Sequence, residues 1–325
     1  MRRYIRLARP FTLLPPLLGI VSGAVCAFGS AHNPDPSRRV TWAIVLTVVI
    51  GSVCASAMNA ASNIVNQIAD LEIDRENKPG RPLVTGEIPV SRASAVAAVL
   101  YVVTVVPTWL VVPYPYSSFL ERLHAPAHLH AAFFIYCVGA LTSLVYSFPA
   151  LGRTKRHWLA ANLTIALTRG GLLKVAGWAF IASVFVWEAW AIGGIFALFL
   201  LGTVSTKDFS DMAGDREHGC VTLPIRFGIT GAARIIAPFF VVPWLLIPLF
   251  AWLPDPGRTT AALLTGNRTV LTLLGLGLAC WGTYAARLLL ANPEGLARTE
   301  NHPAWTHMYL LMMTAQAGFA LAYLL

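Results

Sequence analysis

Charged residues are scarce in this 325-residue chain, at 12% of the total against 56% hydrophobic residues, and the mean hydropathy is +0.64. Soluble domains carry about twice that charged fraction, so the composition excludes an ordinary soluble domain and favours a polytopic membrane protein. Acidic residues are especially few, at 15 against 24 Lys and Arg. No basic tract studded with aromatic residues accompanies this positive balance, so a nucleic-acid partner is not expected.

Cysteine motifs and linkers are missing as well. The five cysteines are scattered, mostly within apolar runs, without C-x-x-C or metal-ligand spacing, so they indicate neither a disulfide framework nor a cysteine metal site. No linker or low-complexity tract divides the chain, which predicts one domain over residues 1–325. A polar acidic motif follows the second apolar run and again the sixth, a faint internal repeat of two four-helix halves with one extra helix.

What the chain has instead is a series of apolar runs long enough to span a bilayer. They predict an all-α bundle of nine transmembrane helices, at about 11–30, 41–69, 93–113, 130–148, 158–182, 188–206, 229–253, 269–290 and 306–325. The first run resembles a secretory signal, but Pro15-Pro16 interrupts it and no small-x-small site follows, so we interpret it as the first span.

The distribution of Lys and Arg predicts the orientation. The N-terminal tail and the loops on its side of the membrane carry 16 of these residues, and the opposite loops carry 5. Positive charge collects on the cytoplasmic side of membrane proteins, so we expect a cytoplasmic N-terminus in a plasma or organelle membrane.

Nine of the fifteen carboxylates fall in two short stretches, 63–87 and 207–219. Each stretch follows a long apolar run, so both are predicted at the cytoplasmic mouth of a central cavity. Mg²⁺ takes carboxylate and phosphate oxygens, while Lys and Arg bind phosphate oxygens directly. Two acidic stretches interleaved with basic residues therefore predict a site for Mg²⁺ and a diphosphate.

Helix geometry predicts which acids face that cavity. At about 100° per residue, one arc of roughly 80° on the second helix contains Asn59, Asn63, Asn66, Asp70 and Asp74. We expect this stripe to line the cavity, because amides facing lipid would be unpaired. Glu72 and Glu76 point away, and the break at Pro79-Gly80 leaves Lys78 and Arg81 on a loop that can fold back over the cavity.

The second stretch repeats the pattern, since Asp208, Asp211 and Asp215 share a face and Glu217 lies opposite. Two further charges, Arg169 and Lys174, lie on the fifth span.

At membrane depth each of those two charges costs about 2.5–3.5 kcal/mol, so we expect both to face the cavity and contact the diphosphate or an acidic acceptor. For Lys174 the alternative is snorkelling to the far interface. Asn162 should share the face of Arg169, and Tyr146 has a ring that can stack on a carbocation or an aromatic acceptor.

These residues resemble the signatures of the UbiA family of intramembrane prenyltransferases. The similar motifs are Asn66-x-x-x-Asp70-x-x-x-Asp74 with Asn77-Lys78-Pro79-x-Arg81-Pro82, Lys207-Asp208-x-x-Asp211-x-x-x-Asp215, and Tyr146-Ser147 followed by Arg153, Lys155 and Arg156. The resemblance covers essentially the whole chain, and the family's architecture is nine helices with a cytosolic N-terminus.

The resemblance implies a catalytic group in which the metal ligands are Asp70, Asp74, Asp211 and Asp215, with Asn66 assisting. It implies that the diphosphate is held by Lys78, Arg81, Lys155 and Lys207. With the residues singled out above, the predicted substrate contacts also include Tyr146, Asn162, Arg169, Lys174 and Asp208. The implied cofactor is Mg²⁺, and the implied partners are a polyprenyl diphosphate, a hydrophobic or aromatic acceptor and membrane lipids.

Two details resemble the homogentisate prenyltransferase branch: Asn66-Gln67, where much of the family has Asn-Asp, and Arg169-Gly170-x-Leu172-Leu173. The implied reaction is transfer of a prenyl group to a phenol or hydroxyaromatic acid, as in lipid-quinone biosynthesis. The alternatives are prenyl transfer to geranylgeranylglyceryl phosphate or chlorophyllide, and an intramembrane terpene cyclase. A transporter is a distant alternative, because transporter sites lie near the bilayer midplane, whereas these acidic stretches are predicted at one interface of the membrane.

Overall fold

The computed structural model describes residues 2–116, 118–298 and 302–325. Within them the chain is almost entirely helical. The α-helices are α1 (Arg2–Ala8), α2 (Leu14–Gly29), α3 (Trp42–Ala69), α4 (Leu71–Asn77), α5 (Val90–Val105), α6 (Phe119–Leu123), α7 (Ala131–Ser147), α8 (Trp158–Ile165), α9 (Leu173–Trp178), α10 (Trp187–Thr203), α11 (Met212–Glu217), α12 (Leu223–Ile236), α13 (Val242–Trp252), α14 (Arg268–Ala291), α15 (Pro293–Arg298) and α16 (Pro303–Leu324). Strands β1 (Pro254–Asp255) and β2 (Arg258–Ala262) form one antiparallel hairpin.

Six helical segments of the described residues are long and apolar enough to cross a membrane. They are Pro10–Gly29, Trp42–Ala69, Val90–Leu110, Trp187–Lys207, Leu223–Trp252 and Arg268–Ala291. The protein is thus an integral membrane protein, and each of these segments matches a predicted span. The remaining three predicted spans coincide with α7, with the α8–α9 segment and with α16, so the total of nine stays a prediction.

The bundle is held by an apolar core and by backbones in close contact. Phe199 packs against Trp244 and Phe240, with ring centroids 4.6 and 6.2 Å apart, and all three side chains are fully buried. On α2, a Cβ at Gly23 would lie 2.4 Å from the carbonyl oxygen of Lys174, so only glycine allows α2 to approach α9 this closely.

The fifth span departs from a regular α-helix. Between α8 and α9, residues Ala166–Leu172 form a π-helical segment. Its wider turns rotate the residues that follow it away from the α-helical positions that the sequence predicts, and such segments often occur at functional sites.

The prediction that the second helix continues to Asp74 needs correction. Helix α3 ends at Ala69, and Asp70 leaves helical geometry with φ −103° and ψ 15° before α4 begins. The amides of Asp70 and Asp74 still donate to the carbonyls of Asn66 and Asp70, at 2.9 and 2.8 Å. The break is therefore a local bend, and the two acids remain on nearly the same side.

Candidate active site

A cavity of about 380 Å³ opens at one end of the bundle, where α3, α7 and α10 end and α2, α8 and α16 begin. Twelve of the predicted site residues line it, from segments far apart in the sequence: Asn66, Asp70, Asp74, Lys78, Arg81, Tyr146, Lys155, Asn162, Lys207, Asp208, Asp211 and Asp215. The two acidic stretches therefore face the same space, as expected, and Lys78 and Arg81 do fold back over it. The roles of these residues remain predictions.

The acids of the first stretch are buried and paired with basic residues. Asp70 is 4% exposed and accepts hydrogen bonds from Arg153 Nη2 at 2.9 Å and from Lys155 Nζ at 2.5 Å. Asp74 is 5% exposed and accepts a hydrogen bond from Arg81. In contrast, Glu72 is exposed and pairs with Arg75 on the outer surface, which agrees with the predicted face of the helix.

Two contacts join the two acidic stretches, and a third holds the Lys155 loop beside them. Lys78 Nζ lies 3.3 Å from Asp211 Oδ1. At Gly214 a Cβ would lie 2.6 Å from the amide atoms of Asn77, so α11 packs directly on the end of α4. The amide of Val221 donates to the carbonyl of Arg156 at 2.8 Å, which fixes the loop that carries Lys155 beside the second stretch.

Burial raises the pKa of Asp74 in the first stretch and the pKa values of two acids in the second. Burial raises the pKa of Asp208 to about 6. Burial, followed by repulsion from Asp208, raises the pKa of Asp215 to about 7. Burial alone would lower the pKa of Lys155, but the neighbouring Asp70 carboxylate raises it above its ordinary value. The second stretch thus concentrates negative charge that a cation would stabilise.

The donors present fit Mg²⁺. No three His, Cys, Asp or Glu side chains of the described residues converge into a metal-binding group. That does not conflict with Mg²⁺, which is usually bound by one or two carboxylates together with substrate phosphates and water. Carboxylates surround the cavity, and the buried Asn66 Oδ1 beside them has no hydrogen-bond partner in the described part of the chain. A buried amide oxygen without a hydrogen-bond partner can coordinate a cation or accept a hydrogen bond from a bound water.

Asn59 and Asn63 do not line the cavity, and this expectation was wrong. Asn63 Nδ2 donates to the Ala8 carbonyl at 3.0 Å and to Thr12 Oγ1 at 2.8 Å. Asn59 Nδ2 donates to the Thr12 carbonyl at 2.9 Å. Their amides are satisfied by the segment before α2, which lies between them and the cavity.

Arg169 and Lys174 do not line the cavity either. Lys174 is 2% exposed, with its Nζ 4.2 Å from the Phe196 ring centre and without a hydrogen-bond partner among the described residues. It is therefore neither at the site nor snorkelling to an interface. Arg169 is partly buried, and the intervening π-helical segment explains why it does not share the cavity face of Asn162. Asn162 itself donates to Ser205 Oγ at 2.8 Å.

Several cavity residues were not among the predicted site residues. Arg9 lines the cavity, as does an aromatic cluster of Phe11, Trp305 and Tyr309 with ring centroids 4.7 to 5.9 Å apart. Arg153, noted only as part of a motif, is buried against Asp70. The sequence does show a basic residue at position 9, directly before the first apolar run. It was interpreted only as part of the positive charge that sets the orientation in the membrane.

Comparison with known proteins identifies the family of the chain. The profile of the UbiA prenyltransferase family matches residues 14–311. The chain belongs to the UbiA prenyltransferase family. The expectation of an enzyme of this prenyltransferase family is therefore confirmed.

The relatives lie in several branches of the family. The chain is 30% identical to a probable chloroplastic homogentisate phytyltransferase 2 of Oryza sativa, over 78% of this chain and 63% of that protein. It is 25% identical to the 34 kDa bacteriochlorophyll synthase chain of Chloroflexus aurantiacus, over 89% and 90% of the two chains. The structure of a UbiA homologue of Archaeoglobus fulgidus, bound to GPP and Mg²⁺, superposes with a TM-score of 0.65 at 19% identity, over 98% of this chain and 99% of that chain.

Proposed function

We propose that this protein transfers a polyprenyl group from a prenyl diphosphate to an aromatic acceptor, a phenol or hydroxyaromatic acid, in a Mg²⁺-dependent reaction within the membrane. The observation that carries the proposal is the meeting of both acidic stretches and their basic neighbours in one cavity at one end of the helical bundle. Family membership and a homologue solved with GPP and Mg²⁺ support it.

The metal ligands in this proposal are Asp70, Asp74, Asp211 and Asp215, with Asn66 as a further oxygen donor. Mg²⁺ bound there would neutralise the charge of the departing diphosphate as a Lewis acid. Lys78, Arg81, Lys155 and Lys207 then bind the phosphate oxygens, which requires the first three to leave the carboxylates that they contact in the structure.

The allylic carbon is left electron-poor when its bond to the diphosphate oxygen breaks, and a carbon or oxygen of the acceptor attacks it. Tyr146 faces the cavity and offers a ring for cation–π stabilisation. Attack on an aromatic carbon is completed when that carbon loses its proton and the ring regains aromaticity. The prenyl tail lies between helices, towards the lipid.

We also propose that the whole chain forms one nine-helix domain whose cavity opens to the cytoplasm of a plasma or organelle membrane. The excess of Lys and Arg on the cavity side supports this orientation. A second acceptor class, geranylgeranylglyceryl phosphate or chlorophyllide, is kept as an alternative because relatives include a bacteriochlorophyll synthase and digeranylgeranylglyceryl phosphate synthases.

The test is an assay of the purified protein with Mg²⁺, labelled geranylgeranyl diphosphate and a panel of acceptors. The panel contains hydroxyaromatic acids, geranylgeranylglyceryl phosphate and chlorophyllide. We expect a prenylated aromatic product that disappears with EDTA and returns with Mg²⁺. Prenylation of only the glyceryl phosphate or chlorophyllide selects the alternative, a cyclised hydrocarbon indicates a terpene cyclase, and full activity in EDTA overturns the metal-dependent mechanism.

A further inference from the structure

The basic residues around the cavity fall into two groups. Lys78, Arg81 and Lys155 each contact an aspartate. Arg9 and Lys207 line the same cavity, but neither side chain makes a hydrogen bond or ion pair with any residue that the structure describes. Lys207 belongs to the second acidic stretch, next to Asp208, whereas Arg9 comes from the segment before α2. An unpaired guanidinium that faces an open cavity is available to bind an anion.

The surroundings of Arg9 add to its need for an anion. Its side chain is accessible because it faces the open cavity, yet the protein around it limits its hydration. Burial, followed by the positive charges of Arg81 and Arg169, lowers the pKa of Arg9. Arg169, which does not itself line the cavity, therefore contributes positive charge close to Arg9. An anion placed at Arg9 would relieve this repulsion.

The backbone of Arg9 is in a conformation that side chains other than glycine rarely adopt. Its φ is 58° and its ψ is 70°, in the left-handed region. Such a conformation is unfavourable for an arginine and persists only where the surrounding structure enforces it, a situation that is common at binding sites.

Side chains of α3 enforce this conformation. Gln67 Nε2 donates to the Leu7 carbonyl at 2.8 Å, and Asn63 Nδ2 donates to the Ala8 carbonyl at 3.0 Å. After Arg9, Asn59 Nδ2 donates to the Thr12 carbonyl at 2.9 Å. These three amides form a ladder that fixes the chain on both sides of Arg9. Asn59 and Asn63, which were predicted to line the cavity, instead fix the backbone on both sides of Arg9.

Aromatic side chains line the cavity together with Arg9. The next cavity-lining aromatic residue, Phe11, lies 5.9 Å from the Trp305 ring and 5.4 Å from the Tyr309 ring. An unpaired guanidinium beside an aromatic cluster can bind a carboxylate and stack on the ring that bears it. The metal-bound diphosphate, in comparison, already has the lysines and arginine that contact the aspartates.

We infer that Arg9, held in place by the amide ladder of Asn59, Asn63 and Gln67, binds the carboxylate of a hydroxyaromatic acid acceptor. The inference rests on the proposed function and specifies its acceptor as an anion. Arg9 contacts the substrate directly, and the three amides are positioning residues. No bond is made or broken at Arg9.

The experiment compares three hydroxyaromatic acids, homogentisate, 4-hydroxybenzoate and 1,4-dihydroxy-2-naphthoate, with their methyl esters. For the acid that wild type uses, we expect Arg9→Gln to raise the KM about 10- to 100-fold, the loss of one charge-assisted contact. The KM for its ester and for geranylgeranyl diphosphate should stay within about twofold of wild type, and Arg9→Lys should restore part of the affinity. Arg75→Gln, which removes a surface charge paired with Glu72, is the matched control.

The positioning residues are tested in the same assay. Asn63→Ala should raise the KM for the acid more than the kcat falls, and should add nothing further in the Arg9→Gln background. Equal KM increases for the acid and its ester, or a raised KM for geranylgeranyl diphosphate in Arg9→Gln, overturn the inference. An additive effect of Asn63→Ala overturns the role of the ladder.

Equilibrium binding separates this inference from the proposed function. If the wild-type protein turns over no acceptor, the proposed function fails, and binding of the three acids without prenyl diphosphate still tests Arg9. Tighter binding of an acid than of its ester by wild type, lost in Arg9→Gln and partly regained in Arg9→Lys, supports the inference. Equal binding of every acid and its ester by wild type and Arg9→Gln overturns it.

Discussion

Gly214 and Asn77 are in direct contact, and through them the two acidic stretches approach each other across the cavity. A Cβ on residue 214 would lie 2.6 Å from Asn77 Nδ2 and Oδ1, which is closer than side chains allow. A Cβ at residue 214 would therefore displace the Asn77 side chain or push the two acidic stretches apart.

Gly214→Ala is expected to lower kcat/KM for both substrates about tenfold or more, because a displacement of about 1 Å at a catalytic site can cost a hundredfold. Gly277→Ala is the matched control, since a Cβ there meets no atom within 4 Å. Kinetics and thermal unfolding of both variants check the prediction. Wild-type rates for Gly214→Ala would mean that the Asn77 side chain moves aside without displacing the acidic residues.

The helical-face argument makes opposite predictions for neighbouring acids. Asp70→Asn, Asp74→Asn, Asp211→Asn and Asp215→Asn should each reduce turnover about a hundredfold or more, because each removes a group that stabilises developing charge. Glu72→Gln should be nearly silent, since Glu72 pairs with Arg75 on the outer surface. Turnover at saturating Mg²⁺ is the measurement. An equal loss at Glu72 and Asp70 would contradict the assignment of faces.

The raised pKa values of the second stretch predict how Mg²⁺ binding depends on pH. With pKa values of about 7 for Asp215 and about 6 for Asp208, both carboxyls gain protons as the pH falls towards 5. Protons then compete with the metal, so the Mg²⁺ concentration for half-maximal activity should rise as the pH falls below about 7. Titrations at pH 8, 7, 6 and 5 measure it.

Asp208→Asn removes one of the two titrating carboxyl groups. It also removes the repulsion from Asp208 that contributes to the raised pKa of Asp215. The variant should therefore show a shallower dependence of the Mg²⁺ requirement on pH, beginning at a lower pH. A Mg²⁺ requirement that stays constant from pH 8 to 5 in the wild-type protein would rule out proton competition.

Lys174 is predicted to be dispensable for the chemistry. Lys174→Met should keep wild-type KM values for both substrates, because Lys174 packs on Phe196 away from the cavity. Replacing a buried ammonium that lacks a hydrogen bond with an apolar chain of similar length should leave the melting temperature unchanged or raise it. Lys155→Met, at the cavity, should by comparison lose activity. A selective rise in one KM for Lys174→Met would show that this lysine reaches a substrate.

Much of the site could be predicted because carboxylates stand out in an apolar sequence. Asp70, Asp74, Asp211 and Asp215 were assigned to one cavity from their spacing and from the spans that they follow. The pairing of these acids with Lys and Arg side chains was not predicted, but the contact between Lys78 and Asp211 agrees with a loop that folds back.

The errors have one physical origin, which is that periodicity gives the face of a helix and not the element that covers it. The face of Asn63 was assigned correctly, but the segment before α2 covers it. Arg169 lies within a π-helical segment, so an α-helical extrapolation from Asn162 places it wrongly. Arg9 depends on a left-handed backbone conformation enforced by distant amides, which a single sequence does not reveal.

Before any ligand arrives, three carboxylates of the cavity, on Asp70, Asp74 and Asp211, already have Lys or Arg partners. A metal ion entering alone would have to displace these partners, and a diphosphate entering alone would have to detach them from their acids. When both enter together, the metal ion binds the freed carboxylates and the diphosphate binds the freed Lys and Arg side chains. The affinities of metal and diphosphate are then reciprocally coupled, each increasing the other by the same factor. We therefore expect a metal ion and a diphosphate to bind more tightly together than either binds alone.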